Sequence, residues 1–245
     1  SEKFPDRYYD VAIAEQHAVT FAAGIATENK KPVVAIYSTF LQRAYDQLIH
    51  DVAVQNLDVT FALDRSGLVG EDGPTHSGNY DIAYLRCIPN MVICTPSDEN
   101  ETRKLLSTAY LHNGPASVRY PRGTGPNSNI DKDLKPLKIG AANVINEESS
   151  EIIILNFGTL LNLANEISRE LKATLVDMRF VKPLDKKLLN KLLKKAKVFI
   201  SIEDGSVMGG AGSAVQEFVS EENLNVKSIL FGIPDKFIEH ASREE

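Results

Sequence analysis

Several features that usually reveal a protein's class are scarce or missing in this sequence. Its 245 residues include no tryptophan and only two cysteines, Cys87 and Cys94. Neither cysteine stands in a metal-binding or redox spacing, so the sequence predicts a reduced, cytoplasmic protein with two buried thiols. The longest apolar runs have the length of a strand, far short of the roughly 20 residues that span a bilayer. We therefore expect no membrane contact.

Positive charge is also scarce. Lysine and arginine number 27 against 33 acidic residues, which gives a net charge of -6. Nucleic-acid phosphates call for a basic surface, so this balance argues against a nucleic-acid partner. Hydrophobic residues make up 43% of the chain and charged residues 24%, values typical of a globular protein.

Short β-branched segments alternate with longer helical ones, which is typical of βαβ units around a parallel sheet. The predicted strands are residues 8–14, 33–37, 58–63, 91–94, 117–120, 151–156, 173–177, 198–202 and 226–231. Residues 123–137 are rich in glycine, proline and asparagine, and we interpret them as a linker. The sequence thus predicts two doubly wound α/β domains, residues 1–122 and 138–245.

A single carboxylate, Glu15, interrupts an apolar stretch at a predicted strand-to-helix junction. Such junctions often carry chemistry in α/β proteins. A glutamate in the first turn of a helix also complements the helix dipole, by about 0.3–1 kcal/mol. On this stretch alone, the dipole role is the simpler interpretation.

A glycine-punctuated loop over residues 64–79 contains Arg65, Asp72 and His76. Loops of this length are uncommon inside compact domains and are often functional. It leaves the carboxyl end of a predicted strand, where parallel sheets bind ligands. The three side chains suit a polar, phosphorylated substrate. The alternative is that Asp72 belongs to a simple turn and His76 is solvated.

Two further junctions carry aromatic or basic residues. Tyr37, Phe40 and Arg43 follow one strand, where a ring could stack on a heterocycle and a guanidinium could bind phosphate. For Phe40 alone, a core position is the simpler interpretation. Arg119 and Arg122 end another strand, and together they predict an anion site at that edge.

Two motifs have simpler structural interpretations. Residues 208–213, Met-Gly-Gly-Ala-Gly-Ser, match no complete phosphate-binding motif and favour close packing of a strand on a helix. Residues 185–196 place leucines on one helical face and lysines around it. This favours a solvated lysine face over a membrane-binding helix.

Together these motifs resemble those of the 1-deoxy-D-xylulose-5-phosphate synthases, thiamine diphosphate enzymes of the transketolase class. The resemblance is carried by residues 12–17, 37–47, 71–76, 84–89, 95–100, 118–123, 175–184 and 208–213. It covers nearly the whole chain and implies a pyrimidine-binding domain with a parallel sheet, followed by a transketolase C-terminal domain with a mixed sheet. Other transketolases and the β subunits of 2-oxo acid dehydrogenases share the fold and are the alternatives.

The resemblance also implies a reaction and a cofactor site. The family joins pyruvate, with loss of CO2, to glyceraldehyde 3-phosphate, in isoprenoid and thiamine precursor biosynthesis. Glu15 matches the catalytic residue that hydrogen-bonds N1′ of the thiamine aminopyrimidine. Phe40 matches the residue that stacks on this ring, with Tyr37 beside it as a cofactor and substrate contact.

The substrate site follows from the same resemblance. Arg65 and Arg122 resemble the pair that binds the phosphate of glyceraldehyde 3-phosphate. Asp72 and His76 match polar catalytic positions of the mobile loop, and Arg43 matches a further basic position of the active site.

One departure from the family sets a limit. The sequence contains no Gly-Asp-Gly motif, which in the family marks an N-terminal domain that binds the diphosphate and Mg2+. We therefore expect a piece of a synthase, without metal ligands of its own, that is inactive and binds thiamine diphosphate weakly when alone. The expected partners are the missing domain and, because the family is usually homodimeric, a second copy. A noncatalytic or regulatory subunit is the alternative.

Overall fold

Two five-stranded sheets form the framework of the computed structural model, which describes residues 2–126 and 129–242. The strands are β1 (Val33–Tyr37), β2 (Thr60–Asp64), β3 (Val92–Cys94), β4 (Ala116–Arg119), β5 (Asn143–Asn146), β6 (Ile152–Phe157), β7 (Thr174–Asp177), β8 (Phe180–Lys182), β9 (Val198–Ser206) and β10 (Lys227–Ile233). The first sheet has the order β1-β2-β4-β3-β8 and the second the order β10-β9-β6-β7-β5. Only β8 and β5 pair antiparallel to their neighbours among these strands.

Helices connect the parallel strands. The α-helices are α1 (Glu15–Thr27), α2 (Ser38–Leu41), α3 (Tyr45–Gln47), α4 (Asp81–Arg86), α5 (Glu99–Leu111), α6 (Leu161–Leu171), α7 (Lys186–Leu193) and α8 (Ala211–Glu221). The carboxylate of Asp98 caps α5 by accepting a hydrogen bond from the amide of Glu101 at 2.8 Å. The α/β architecture predicted from the sequence is confirmed.

The prediction of a strand over residues 8–14 is wrong. This segment has no regular structure beyond a 3₁₀ turn at Pro5–Arg7, just before it. It pairs with no strand in the part of the chain that the structure describes, and Ile13 is 90% exposed. An apolar run of this kind forms a strand only where a neighbouring strand can take up its backbone hydrogen bonds.

Residues 40–54, which carry apolar side chains at helical spacing, are helical but interrupted. After α2 come a 3₁₀ turn at Gln42–Ala44, the short helix α3, and a π-helix at Leu48–Ala53. In the π-helix the amide of Val54 donates to the carbonyl of Ile49, five residues back. The sequence shows the apolar spacing of this segment but not the extra residue in its turn.

The observed burial of side chains agrees with most of the predictions made from the sequence. In α7, Leu189 and Leu193 are buried and the lysines are exposed, as predicted. Cys94 is buried, and burial raises the pKa of its thiol. Cys87 is exposed, which corrects the prediction of two buried thiols. Within the described ranges, no helix has both the length and the apolar character needed to cross a membrane.

Direct contacts join the two sheets. Strand β8 comes from the sequence between β7 and α7, yet it pairs with β3 of the first sheet. The hydroxyl of Ser97 donates to Asp177 at 2.8 Å, and Nε of Arg179 lies 2.7 Å from Glu101. Burial raises the pKa of Asp177 to about 6, against the hydrogen bond from Ser97.

Two glycines close the loop that follows β2. Gly67 and Gly78 exchange backbone hydrogen bonds of 2.8 and 3.0 Å, and we call this pair the glycine neck. A Cβ atom at Gly78 would overlap the backbone of Arg65 and Ser66. The neck therefore requires glycine at this position, because the adjacent backbone leaves no room for a side chain.

We expect Gly78→Ala to lower the free energy of unfolding by about 1–3 kcal/mol, because overpacking against backbone forces the neck apart. Gly24→Ala is the matched control, since a Cβ at Gly24 in α1 meets nothing within 4 Å. That change should stabilise the protein by about 0.5–1 kcal/mol through helix propensity. Urea unfolding of both variants makes the comparison. Equal effects would remove the steric role of the neck.

Candidate active site

The carboxylate of Glu15 lies at the beginning of α1, close to the end of β1. Its side chain is 13% exposed, and its Oε1 is 3.1 Å from Nη1 of Arg43. Ala12, just before it, has a φ of 54°, a conformation that is unusual for a residue other than glycine. Such outliers occur often at functional sites.

Arg43 connects Glu15 to a pair of stacked rings. Tyr37 ends β1 and Phe40 lies in α2, with ring centroids 5.2 Å apart and planes 12° from parallel. We call this pair the aromatic shelf. The guanidinium of Arg65 lies 3.9 Å from the centroid of Tyr37, and that of Arg43 lies 5.6 Å from the centroid of Phe40. The shelf thus has a cation on each ring.

The glycine-rich loop reaches the shelf through His76. Its ring meets Phe40 edge to face, with centroids 5.6 Å apart. The hydroxyl of Thr75 lies 2.9 Å from Nδ1 of His76, and the hydroxyl of Thr39 donates to the carbonyl of Thr75 at 3.3 Å. These contacts place the imidazole next to the shelf.

Arg65 extends this group to the end of β2. It has a φ of 58°, and its amide donates to the carboxylate of Asp64 at 2.7 Å. Its Nε is buried without a hydrogen-bond partner among the residues that the structure describes. A buried donor of this kind indicates a partner beyond those residues, such as water or a ligand.

Asp72 of the loop and Arg122, which follows β4, form a second group. Nε of Arg122 is 3.4 Å from Oδ2 of Asp72, and Nη1 donates to the carbonyl of Val69 at 3.4 Å. The Arg122 side chain is 39% exposed. The structure therefore gathers one chain of contacts that contains Glu15, Tyr37, Phe40, Arg43, Arg65 and His76. A separate ion pair joins Asp72 of the loop to Arg122 after β4.

Arg119 does not belong to the anion site predicted for it. Its side chain is 2% exposed and contacts Asp81, with Nε 2.9 Å from Oδ2, and Asp204. Burial alone would lower the pKa of Arg119, but the adjacent carboxylates of Asp204 and Asp81 raise it. Two buried carboxylates already neutralise this guanidinium, so it is a structural residue.

Glu203 of β9 places its carboxylate at the beginning of α8, next to the glycine-rich residues 208–213. Its carboxylate accepts hydrogen bonds of 2.8 Å from the amides of Ala211 and Gly212. A Cβ at Gly212 would overlap the hydroxyl of Ser201, which agrees with the close packing expected there. Burial raises the pKa of Glu203 to about 7, against these two hydrogen bonds.

Sequence reasoning missed two residues that touch the loop. Asp204 lies against Gly67, and the ring of His240 lies on Gly73. Both come from the second half of the chain, far from the loop in sequence. No local pattern marks either residue, so only the packing of the two sheets reveals them.

Comparison with known proteins identifies the family. Residues 1–127 match the family model for the transketolase pyrimidine binding domain, and residues 140–245 match the transketolase C-terminal domain. The chain belongs to the transketolase family. Glu15, the aromatic shelf and the loop lie in the part that matches the pyrimidine binding domain of transketolases.

Two curated relatives show which enzymes of the family the chain resembles. Over 98% of its length, the chain is 61% identical to a 1-deoxy-D-xylulose-5-phosphate synthase of Pseudomonas fluorescens. Over 100% of its length, it is 61% identical to that of Pseudomonas aeruginosa. These matches confirm the resemblance seen in the sequence. The chain spans 38% and 39% of the lengths of these two relatives.

A solved structure agrees with this fold. A split-gene transketolase, described as an inactive β4 tetramer, superimposes with a TM-score of 0.86 at 29% identity. The match covers 96% of this chain and 77% of the other.

Proposed function

We propose that this chain supplies the pyrimidine side of a thiamine diphosphate site in a 1-deoxy-D-xylulose-5-phosphate synthase. The observation that carries this proposal is the contact of Arg43 both with the carboxylate of Glu15 and with the aromatic shelf of Tyr37 and Phe40. Identity of 61% to two synthases supports the assignment. The reaction is the joining of pyruvate, with loss of CO2, to glyceraldehyde 3-phosphate.

The side chains present fit an aminopyrimidine. This ring needs a hydrogen-bonding carboxylate at its nitrogen edge and an apolar surface against its face. Glu15 offers the first, and Phe40, which is only partly buried, offers the second. Within residues 2–126 and 129–242, no group of three or more histidine, cysteine or acidic side chains could hold a metal ion. In our proposal, the diphosphate and Mg2+ are held by the portion that the relatives have beyond the matched length.

Thiamine diphosphate, when bound, supplies the electron sink for breaking and forming the carbon–carbon bonds. Glu15 holds a proton at N1′ of the aminopyrimidine. A carboxylate suits this task because it can both accept and release the proton, which an amide cannot do. The ion pair with Arg43, at 3.1 Å, fixes the direction of the carboxylate.

The acceptor phosphate is bound by Arg65 and Arg122. Guanidinium groups form paired, charge-assisted hydrogen bonds with phosphate oxygens. Arg122 is accessible at the loop, and the phosphate takes the place of Asp72 as its anionic partner. Asp72 and His76 then contact the polar groups of the bound substrates.

We propose that the chain alone is inactive and that the complete enzyme is a homodimer. The split-gene transketolase of similar fold is described as inactive in its β4 form, which supports the first point. A purely noncatalytic subunit gives no reason for Glu15, Arg65 and Arg122 to coexist with the aromatic shelf.

The test of Glu15 uses this chain joined to the remaining portion of the Pseudomonas aeruginosa relative, which we call the joined protein. Glu15→Gln should slow deuterium exchange at C2 of the bound cofactor by about 100-fold or more, the usual size of an acid–base contribution. Cofactor affinity should change far less. Glu28→Gln, at the other end of α1, is the control. Unchanged exchange in Glu15→Gln would remove Glu15 from the mechanism.

Arg122→Ala in the joined protein should raise the KM for glyceraldehyde 3-phosphate by about 10- to 100-fold, as expected for a lost charge-assisted hydrogen bond. The KM for pyruvate should stay nearly constant. Steady-state kinetics with both substrates test this, with Arg169→Ala, an exposed arginine of α6, as the control. With glyceraldehyde, which lacks the phosphate, the effect should vanish. An equal rise for pyruvate and glyceraldehyde 3-phosphate would contradict a phosphate role.

A further inference from the structure

A residue of the second sheet holds the loop that carries Asp72 and His76. We propose that Asp204 is a positioning residue that fixes the glycine neck of this loop, acting through Arg119 and through direct contact with Gly67. The catalytic consequence rests on the proposed function, whereas the structural coupling does not.

The first link is the buried guanidinium of Arg119. It donates from Nη1 to Oδ1 of Asp204, and from Nη2 to the carbonyl of Gly78 at 3.4 Å. Its Nε donates to Asp81, whose carboxylate also accepts from the hydroxyl of Ser66 at 3.0 Å. One side chain thus connects Asp204 to both strands of the neck, to Gly78 directly and to Ser66 through Asp81.

The second link is steric. A Cβ at Gly67 would lie 3.0 Å from the backbone oxygen of Asp204 and 3.1 Å from its Cβ and Cγ. The φ of Gly67 is +77°, which also favours glycine. Asp204 therefore packs against the neck itself, and a methyl group at Gly67 would fit only if Asp204 shifted.

Asp204 is also held by a contact within the second half of the chain. It is 9% exposed, and its Oδ2 accepts a hydrogen bond from the hydroxyl of Thr159 at 3.3 Å. At the far end of the loop, the ring of His240 lies on Gly73, the residue after Asp72. Residues of the second half of the chain therefore contact the loop at its neck and at its tip.

This arrangement makes the loop's position depend on the second sheet. Asp204→Asn removes one of the two charges that hold Arg119, while Asp81 still pairs with it. The guanidinium then has only an uncharged acceptor on the second sheet, and the neck is held less firmly. Asp72 and His76 lie beyond the neck, so their placement relative to the aromatic shelf becomes less fixed.

Hydrogen–deuterium exchange of this chain, read by mass spectrometry, tests the coupling without cofactor or substrate. In Asp204→Asn, peptides covering residues 67–78 should exchange about ten-fold faster than in the wild type, as expected when a charged acceptor becomes neutral. Peptides of β6 should keep their protection. The matched control is Glu217→Gln, which breaks the ion pair with Arg86, another contact between the two halves.

A second variant covers the case in which Asp204→Asn does not fold. Gly67→Ala places a methyl group against Asp204 and so disturbs the same contact from the loop. It should also accelerate exchange within residues 67–78. In the joined protein, both variants should lower kcat by about ten-fold and change the KM for pyruvate much less, because the loop places groups that act after binding.

Two results would overturn the proposal. One is faster exchange spread evenly over both sheets in Asp204→Asn and Gly67→Ala, which would make the contact merely structural. The other is exchange of residues 67–78 that is no faster in Asp204→Asn and Gly67→Ala than in Glu217→Gln. Because the exchange measurement needs no turnover, a joined protein without synthase activity would refute the proposed function and leave the coupling standing.

Discussion

The buried guanidinium of Arg119 between Asp81 and Asp204 is the interaction on which the rest of the structure depends. A buried charge is costly unless it is paired and hydrogen-bonded, and removal of one partner typically costs several kcal/mol. Arg119 ends a strand of the first sheet, Asp81 begins α4, and Asp204 belongs to the second sheet. The requirement to neutralise one arginine therefore fixes the relative placement of three separate elements.

The candidate site lies beside this ion triad, at the carboxyl ends of parallel strands. Tyr37 ends β1, Arg65 follows β2, and Arg122 follows β4 shortly after Arg119. Parallel neighbours in one sheet bring these ends to a common edge, which is where open α/β sheets bind ligands. Glu15 joins them from the beginning of α1. Aromatic surface, carboxylate and cations thus meet because of the sheet topology, although they come from distant parts of the sequence.

Local patterns predicted the parts of the fold that depend on neighbouring residues. The strand at 33–37, for example, follows from its β-branched residues. The same patterns failed at residues 8–14, because a strand requires a partner that no local window shows. The antiparallel strands β5 and β8 were missed for the same reason.

The site could be predicted only in part. The sequence around Glu15 does not decide between a helix-dipole role and a catalytic role. The catalytic role was predicted from the resemblance to a family, together with Arg65 and Arg122. Arg119 and Arg122 have the same local setting in the sequence, yet one is buried between two carboxylates and the other lies at the loop. That difference arises from Asp204, which is far away in the chain, so no pattern around either arginine could reveal it.

The most direct test of the account is a calorimetric titration of thiamine diphosphate with Mg2+ into two proteins, the chain alone and the joined protein. If the chain holds only the pyrimidine side of the site, the joined protein should bind thiamine diphosphate at least about 100-fold more tightly than the chain alone does. In the joined protein both halves of the cofactor are held at once. Equal affinities, or no binding by the joined protein, would contradict the account.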